Sequence, residues 1–198
     1  MDRDDLRRTA RGYLEETAEA LARVRETCLD DIAEAARLLA GSLRSGGKLL
    51  ICGNGGSAAD AQHMATELVG TLTLDRVRPS IPAIALTTDT SLLTALANDF
   101  GVARMFARQV ESLGAAGDAL VAISTSGESA NVLAAVEEAR ARGLTVVALT
   151  GATGGKLAPM ADVSIRVPSE ATAHIQECHL AVEQLLALLL ERELHPAG

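Results

Sequence analysis

The chain has no tryptophan, one tyrosine and two phenylalanines among 198 residues. It therefore lacks the aromatic platform on which single-stranded bases stack. Cationic residues are also outnumbered, with 18 Lys and Arg against 26 Asp and Glu and a formal net charge of −8. A nucleic-acid groove needs clustered Lys and Arg to displace counterions, so no nucleic-acid partner is expected. Phosphate itself is not excluded, because backbone dipoles and hydroxyls bind it locally. Cysteine is scarce: Cys28, Cys52 and Cys178 are odd in number, far apart and free of C-x-x-C spacing. That pattern reads as a reduced, cytoplasmic chain. Long hydrophobic runs are missing too. Residues 181–190 are apolar but too short for a membrane span and are interrupted by Glu183 and Gln184. The N-terminal Met1-Asp2-Arg3-Asp4-Asp5 has no apolar signal-peptide core. Neither a membrane nor a secretory route is expected.

What is present is aliphatic. Hydrophobic residues make up 48% of the chain, mostly Ala, Leu and Val, enough for the core of one domain with an added helical segment. Residues 3–43 read as two helices. Leu6, Ala10, Tyr13, Leu14, Thr17, Ala20 and Leu21 recur at helical spacing in the first, and Ile32, Ala35, Leu38, Leu39 and Leu43 in the second. Ser45-Gly46-Gly47 stops the pair. A helical hairpin ahead of the first strand is awkward to bury within one chain, so residues 1–45 read as an oligomerisation segment. The remainder, 46–198, reads as the ligand-binding domain.

Within that domain, short apolar runs at 48–52, 83–86, 118–123, 144–149 and 162–167 read as strands. Helices are predicted at 57–68, with Ser57 as N-cap, and at 90–97, 103–113, 129–142 and 172–193, with a helical turn at 154–160. The alternation predicts an α/β domain with a five-stranded parallel sheet covered on both faces. Ligands in such sheets bind at the carboxyl ends of the strands.

Two loops fall at those ends. The first is Cys52-Gly53-Asn54-Gly55-Gly56-Ser57; its glycines admit close backbone approach, and a helix N-terminus presents unpaired donors. It also satisfies the loose G-x-G-x-x-A dinucleotide pattern, with Asp89 available for a ribose, but that pattern alone is weak. The second is Ser124-Thr125-Ser126-Gly127-Glu128-Ser129, with four hydroxyls at a helix start, a good phosphate nest. One serine there would be an ordinary cap; four are not explained that way. Together the loops point to a phosphorylated polyol.

Three further groups stay open on residue chemistry alone. His63 and Glu67 share a helix face and suit either a divalent metal with proton transfer or a surface ion pair. Gln176 and Gln184, two turns apart on the last helix, accompany His174, Glu177, His179 and Glu183; on residue chemistry alone a polar stripe on an amphipathic helix is the favoured reading of these. Asn98-Asp99 reads as a turn or helix end, or as a contact to sugar hydroxyls.

Segments running in order across nearly the whole chain carry a resemblance. They are Cys52-Gly53-Asn54-Gly55-Gly56-Ser57, Asp60-Ala61-Gln62-His63, Glu67-Leu68, Ala97-Asn98-Asp99-Phe100, Ile123-Ser124-Thr125-Ser126-Gly127, Ser129-Ala130-Asn131-Val132, Ala148-Leu149-Thr150-Gly151, Gly154-Gly155 and Ile175-Gln176-Glu177. The chain resembles the sugar isomerase (SIS) fold, a flavodoxin-like three-layer sandwich, and within it the phosphoheptose isomerases.

The resemblance implies interconversion of sedoheptulose 7-phosphate and D-glycero-D-manno-heptose 7-phosphate through a cis-enediol, in a homotetramer with active sites at subunit interfaces. It places substrate on Asn54, Gly55, Gly56, Ser57, Asn98, Asp99, Ser124, Thr125, Ser126, Ser129 and Gln176. It implies one zinc per subunit on His63, Glu67, Gln176 and the residue eight further on, with Glu67, His63 and that fourth position as the catalytic group. The family has a histidine there; this chain has Gln184. Glu128 is a second departure, standing where asparagine is usual, and its carboxylate is expected to point away from the phosphate. A non-catalytic alternative also resembles the chain, the initiator-associating SIS proteins that bind the replication initiator DnaA.

Overall fold

The computed structural model describes residues 1–73 and 77–196. Two helices come first, α1 (Arg3–Thr27) and α2 (Leu29–Arg44). Alternation follows: β1 (Leu49–Cys52), α3 (Gly56–Val69), β2 (Ala83–Ala85), α4 (Thr90–Phe100), α5 (Met105–Leu113), β3 (Ala119–Ser124), α6 (Ala130–Ala141), β4 (Thr145–Gly151), β5 (Val163–Val167) and α7 (Thr172–Leu194). The five strands pair parallel in the order β2-β1-β3-β4-β5.

Period-two alternation decides which side chain enters which layer. Leu49 and Ile51 of β1, Ala119, Val121 and Ile123 of β3, and Val147 and Leu149 of β4 share one core with Leu39 of α2, Met64 and Leu68 of α3, and Leu186 of α7. The intervening Leu50, Cys52, Leu120, Ala122, Val146 and Ala148 form a second core with Phe106 and Val110 of α5 and Val132 and Val136 of α6. The expected α/β architecture, helices on both faces of a five-stranded parallel sheet, is the one observed.

The strand order places the site. From β1 the chain moves to β2 on one side, then crosses back to β3 on the other. The carboxyl ends of β1 and β3 are therefore neighbours at the point where the winding reverses, and Cys52 pairs with Ala122 there. Both glycine- and serine-rich loops leave from this crevice.

Several local expectations are corrected. Ser57 does not cap α3; the helix begins one residue earlier, because Gly55 takes φ +56° and turns the chain before Ser57 is reached. Thr150 and Gly151 do not end β4 but belong to it, pairing with Arg166 and Val167 of β5. Asn98 and Asp99 lie in the last turn of α4, which Gly101 closes. Asp89 caps that helix, accepting from the Leu92 amide, so its carboxylate is spent on structure. The 154–160 turn shrinks to a 3₁₀ turn at Ala158–Met160.

The helical hairpin buries more than its position suggests. Ala20 and Val24 of α1 and Ile32, Ala35, Ala36, Leu39 and Ala40 of α2 belong to the first core. Leu6 and Leu14, on the outer stripe of α1, stay 56% and 66% exposed. The same helix thus covers this chain with one face and leaves a second apolar face open. No helix among the described residues is long and apolar enough to cross a membrane.

Candidate active site

The first loop is built on a positive φ and a close approach. No side chain caps α3, and the amides of Gly56 and Ser57 precede the first intrahelical bond, from Ala58 N to Gly55 O. These are the donors that a helix start offers an anion. Gly56 has no room for a side chain: a Cβ there would stand 2.5 Å from Gln176 Nε2. Gln176, on the first turns of α7, therefore lies directly against the loop.

The second loop follows β3. Ser124 is buried, and its Oγ accepts from the Gly127 amide at 3.2 Å and meets Ser129 Oγ at 3.1 Å. Ser129 is the N-cap residue of α6 yet makes no capping bond with its side chain. Ser126 Oγ accepts from the Glu128 amide at 3.2 Å. Gly127 holds φ +66°, and a Cβ on it would collide with the carbonyl oxygen of Gly154. Leu157 N donates to Gly127 O at 3.0 Å, so the turn after β4 locks the loop from behind. Thr125 and Ser126 open onto a cavity of about 250 Å³ walled by Gly151, Thr153, Ser169 and Thr172. That is small for a ligand pocket but sufficient for a phosphate and the near end of a sugar chain.

Glu128 points away, as expected. Its carboxylate takes the Lys156 ammonium at 2.7 Å and the Lys156 amide at 3.1 Å. The hydrogen bond from Lys156 holds it below the usual carboxylate range.

The two loops are joined by Asn54 and Asn131, 77 residues apart in the chain. Asn54 Nδ2 donates to Asn131 Oδ1, and Asn131 Nδ2 returns a bond to Asn54 Oδ1, both at 2.8 Å. Asn131 sits in the first turn of α6 and is buried.

Further along the same two helices, His63, Glu67 and Gln184 converge. The Gln184 side-chain amide meets His63 Nε2 at 2.5 Å, and Glu67 Oε1 lies 3.5 Å from the same nitrogen. The Glu67 side chain is 18% exposed. Gln176 is not part of this contact; it sits eight residues back on α7, about 12 Å of helix rise, against Gly56. Asn98 and Asp99 stand apart: both are exposed, and Asn98 Nδ2 donates to Asp99 Oδ1 at 2.8 Å.

Beneath this row lies a buried polar set. His179 is fully buried, and its Nε2 meets the Thr150 carbonyl at 3.1 Å. Burial pushes its imidazole down to about 4, although the bond to Thr150 works the other way. Glu183 is buried with both carboxyl oxygens lacking a protein partner among the described residues; burial, then the charge of Asp60, pushes it up to about 9. Burial raises Asp60 to about 6 against the opposing effect of His63. The polar stripe on α7 is therefore split, with Gln176 and Gln184 facing α3 and His179 and Glu183 facing the interior.

The donor set fits a divalent cation. His63 offers an imidazole nitrogen and Glu67 a carboxylate oxygen. Gln184, with its amide turned over, presents an oxygen to the same point. Among the described residues, no group of three or more His, Cys, Asp or Glu suits a metal, so a site here depends on the glutamine.

A second ring of contacts ties α1 to the start of α7. Tyr13 Oη donates to Glu177 Oε1 at 2.5 Å, and Thr17 Oγ1 donates to Glu177 Oε2 at 2.8 Å. His174 contacts Glu177 Oε2 and Glu16 Oε2, each at 3.1 Å, and its ring lies tilted by 49° against the Tyr13 ring, centroids 4.8 Å apart. The bonds to Glu177 and then Glu16 raise its imidazole above the ordinary value.

A glycine loop and a hydroxyl-lined loop leave the parallel sheet at its switch point, where α/β domains bind their ligands. A family model described as the SIS domain matches residues 12–151. Similarity to individual proteins is closer still. The phosphoheptose isomerase of Rhodospirillum rubrum is 52% identical over 181 residues, covering 91% of this chain and 95% of that protein. The structure of phosphoheptose isomerase GmhA from Neisseria gonorrhoeae superposes with a TM-score of 0.88 at 43% identity, over 94% of this chain and 98% of that one. A phosphoheptose isomerase from Francisella tularensis gives 0.90 at 39% identity, over 97% and 100%. The chain belongs to the phosphoheptose isomerases of the SIS-domain family.

Proposed function

We propose that this chain is an aldose–ketose isomerase of carbohydrate metabolism, interconverting sedoheptulose 7-phosphate and D-glycero-D-manno-heptose 7-phosphate. The observation that carries the reading is the glycine loop and the hydroxyl loop side by side at the switch point of the sheet, tied together by the Asn54–Asn131 pair, with Gln176 against Gly56. The identity to named isomerases over nine-tenths of the chain supports the same activity.

Ser124, Thr125, Ser126 and Ser129, with the first amides of α6, take the phosphate; a helix start and hydroxyl donors favour an anion there. Asn54, the Gly55-Gly56 amides, Ser57 and Gln176 take hydroxyls of the chain. Asn98 and Asp99, exposed on α4, serve a site completed by a neighbouring copy. Glu67 acts as the base. It takes the proton from the carbon beside the carbonyl, the neighbouring substrate hydroxyl passes its own proton to the former carbonyl oxygen at the cis-enediolate stage, and Glu67 returns the first proton to the adjacent carbon. His63 holds the Glu67 carboxylate in place. Gln184, a neutral amide, neither gives nor takes a proton and orients His63.

A bound zinc held by His63, Glu67 and Gln184 would polarise the carbonyl and stabilise the developing oxyanion. Assembly as a homotetramer is supported by the exposed Leu6 and Leu14 face of α1. A cytoplasmic setting is supported by three buried, free thiols. The test is turnover of sedoheptulose 7-phosphate by the purified protein, after chelation and again after zinc. Zinc-restored turnover is expected. Tight sugar-phosphate binding with no turnover would overturn the isomerase and return the non-catalytic alternative, an SIS protein that binds a sugar phosphate or the replication initiator.

A further inference from the structure

Arg78 touches neither ligand loop. It lies between α3 and β2, and its side chain is 2% exposed. Its guanidinium donates in two directions. Nε donates to Glu191 Oε2 at 3.0 Å. Nη1 donates to the carbonyls of Leu68 at 2.8 Å, Pro79 at 3.1 Å and Gly70 at 3.2 Å, and Nη2 to the carbonyl of Glu67 at 2.8 Å.

Glu67, Leu68 and Gly70 form the end of α3, where helix carbonyls run out of amide partners and the dipole favours a cation. Glu191 lies on α7, seven residues beyond Gln184 and so on nearly the same face. Its side chain is also 2% exposed. One guanidinium thus fastens the backbone of Glu67 to the helix that carries Gln184. A planar fork with donors on several edges is what the arrangement uses, and lysine has no equivalent.

We propose that Arg78 is a positioning residue for the proton transfer. It holds the end of α3 against α7, so that the Glu67 carboxylate, the His63 ring and the Gln184 amide keep their mutual register. The proposal rests on the isomerase reading with Glu67 as base. Loss of register acts first on chemistry, because Arg78 grips the C-terminal end of α3, whereas Gly56 and Ser57 lie at its opposite end and the phosphate nest lies between β3 and α6. A displacement of about 1 Å at a reacting group lowers rates by roughly 100-fold.

The experiment compares steady-state isomerisation by the unaltered chain and by Arg78→Lys, together with amide hydrogen exchange across residues 64–70. The expected result is a kcat lowered at least tenfold, KM within twofold, and faster exchange at the end of α3. A kcat within twofold of the unaltered chain overturns the role, as does a loss shared equally by kcat and KM. Should Arg78→Lys fail to fold, Glu191→Gln decides, since it keeps the backbone bonds of Arg78 and weakens the tie of Arg78 to α7. There kcat is expected to fall at least threefold with KM unchanged, and an unchanged kcat overturns the proposal. Absence of turnover by the unaltered chain is a different result; it removes the isomerase reading itself, and this role with it.

Discussion

Asn54 and Asn131 exchange two 2.8 Å hydrogen bonds across the crevice between β1 and β3, closing a ring of side-chain amides between the glycine loop and the start of the helix behind the hydroxyl loop. Replacing Asn131 leaves the Asn54 amide unpaired in a part-buried place, a penalty of about 1–3 kcal/mol. Asn131→Ala is therefore expected to raise KM for the sugar phosphate more than it lowers kcat. Asn131→Asp, which keeps the acceptor but loses the returned bond, should fall between. Steady-state kinetics on the two variants check this; equal loss in kcat alone would place the pair in the chemistry instead.

The hydroxyl loop makes a separate prediction. Hydrogen bonds to a charged group contribute about 1.5–3 kcal/mol each. Ser124→Ala combined with Ser126→Ala should weaken sugar-phosphate binding by two orders of magnitude or more, measured by calorimetry, while zinc binding stays as it was. Parallel loss of both would point to a collapsed fold.

Glu67→Gln preserves shape and removes the base. Positioned acid–base groups contribute about 10²–10⁴-fold, so turnover should fall by that factor with the melting temperature little changed. Retained turnover would exclude Glu67 as the base.

Gln184→His exchanges a neutral amide for an imidazole beside His63. Imidazole is the better zinc donor. Competition against a chromophoric chelator should show tighter zinc binding by the variant. Unchanged affinity would mean that residue 184 does not reach the metal.

Acid stability turns on Asp118, which precedes β3. Burial alone pushes its carboxyl up, but bonds from Lys48 Nζ at 2.6 Å and from the Ala115 and Lys48 amides, both at 2.9 Å, outweigh burial and hold it below the usual range. A carboxyl lowered in the folded state stabilises above its unfolded value and loses that contribution as pH falls through the folded one. Melting temperatures of the unaltered chain and Asp118→Asn should therefore differ at neutral pH and converge below about pH 4. A constant gap across that window would assign the effect to packing.

Much of this was legible from residues alone. Short aliphatic runs located all five strands, and the strand-to-helix positions of Gly53-Asn54-Gly55-Gly56 and Ser124-Thr125-Ser126-Gly127 located the loops. What sequence could not supply was contact at long range. Asn54 and Asn131 are 77 residues apart, and nothing local marks them as partners. The faces of α7 were equally hidden, because which of His179, Glu183 and Gln184 turns inward depends on how that helix crosses α3 and the sheet. Ser57 carries the side chain of an ordinary cap, but a glycine at φ +56° ends the loop sooner and takes the cap position.

The tie between α1 and α7 has an optical consequence. With no tryptophan in the chain, near-ultraviolet emission comes almost wholly from Tyr13, whose hydroxyl rests on a carboxylate and whose ring lies against His174. Its fluorescence is a built-in gauge of whether the first helix is seated on the last, readable without a label, while α1 also presents its other face to whatever packs beside it.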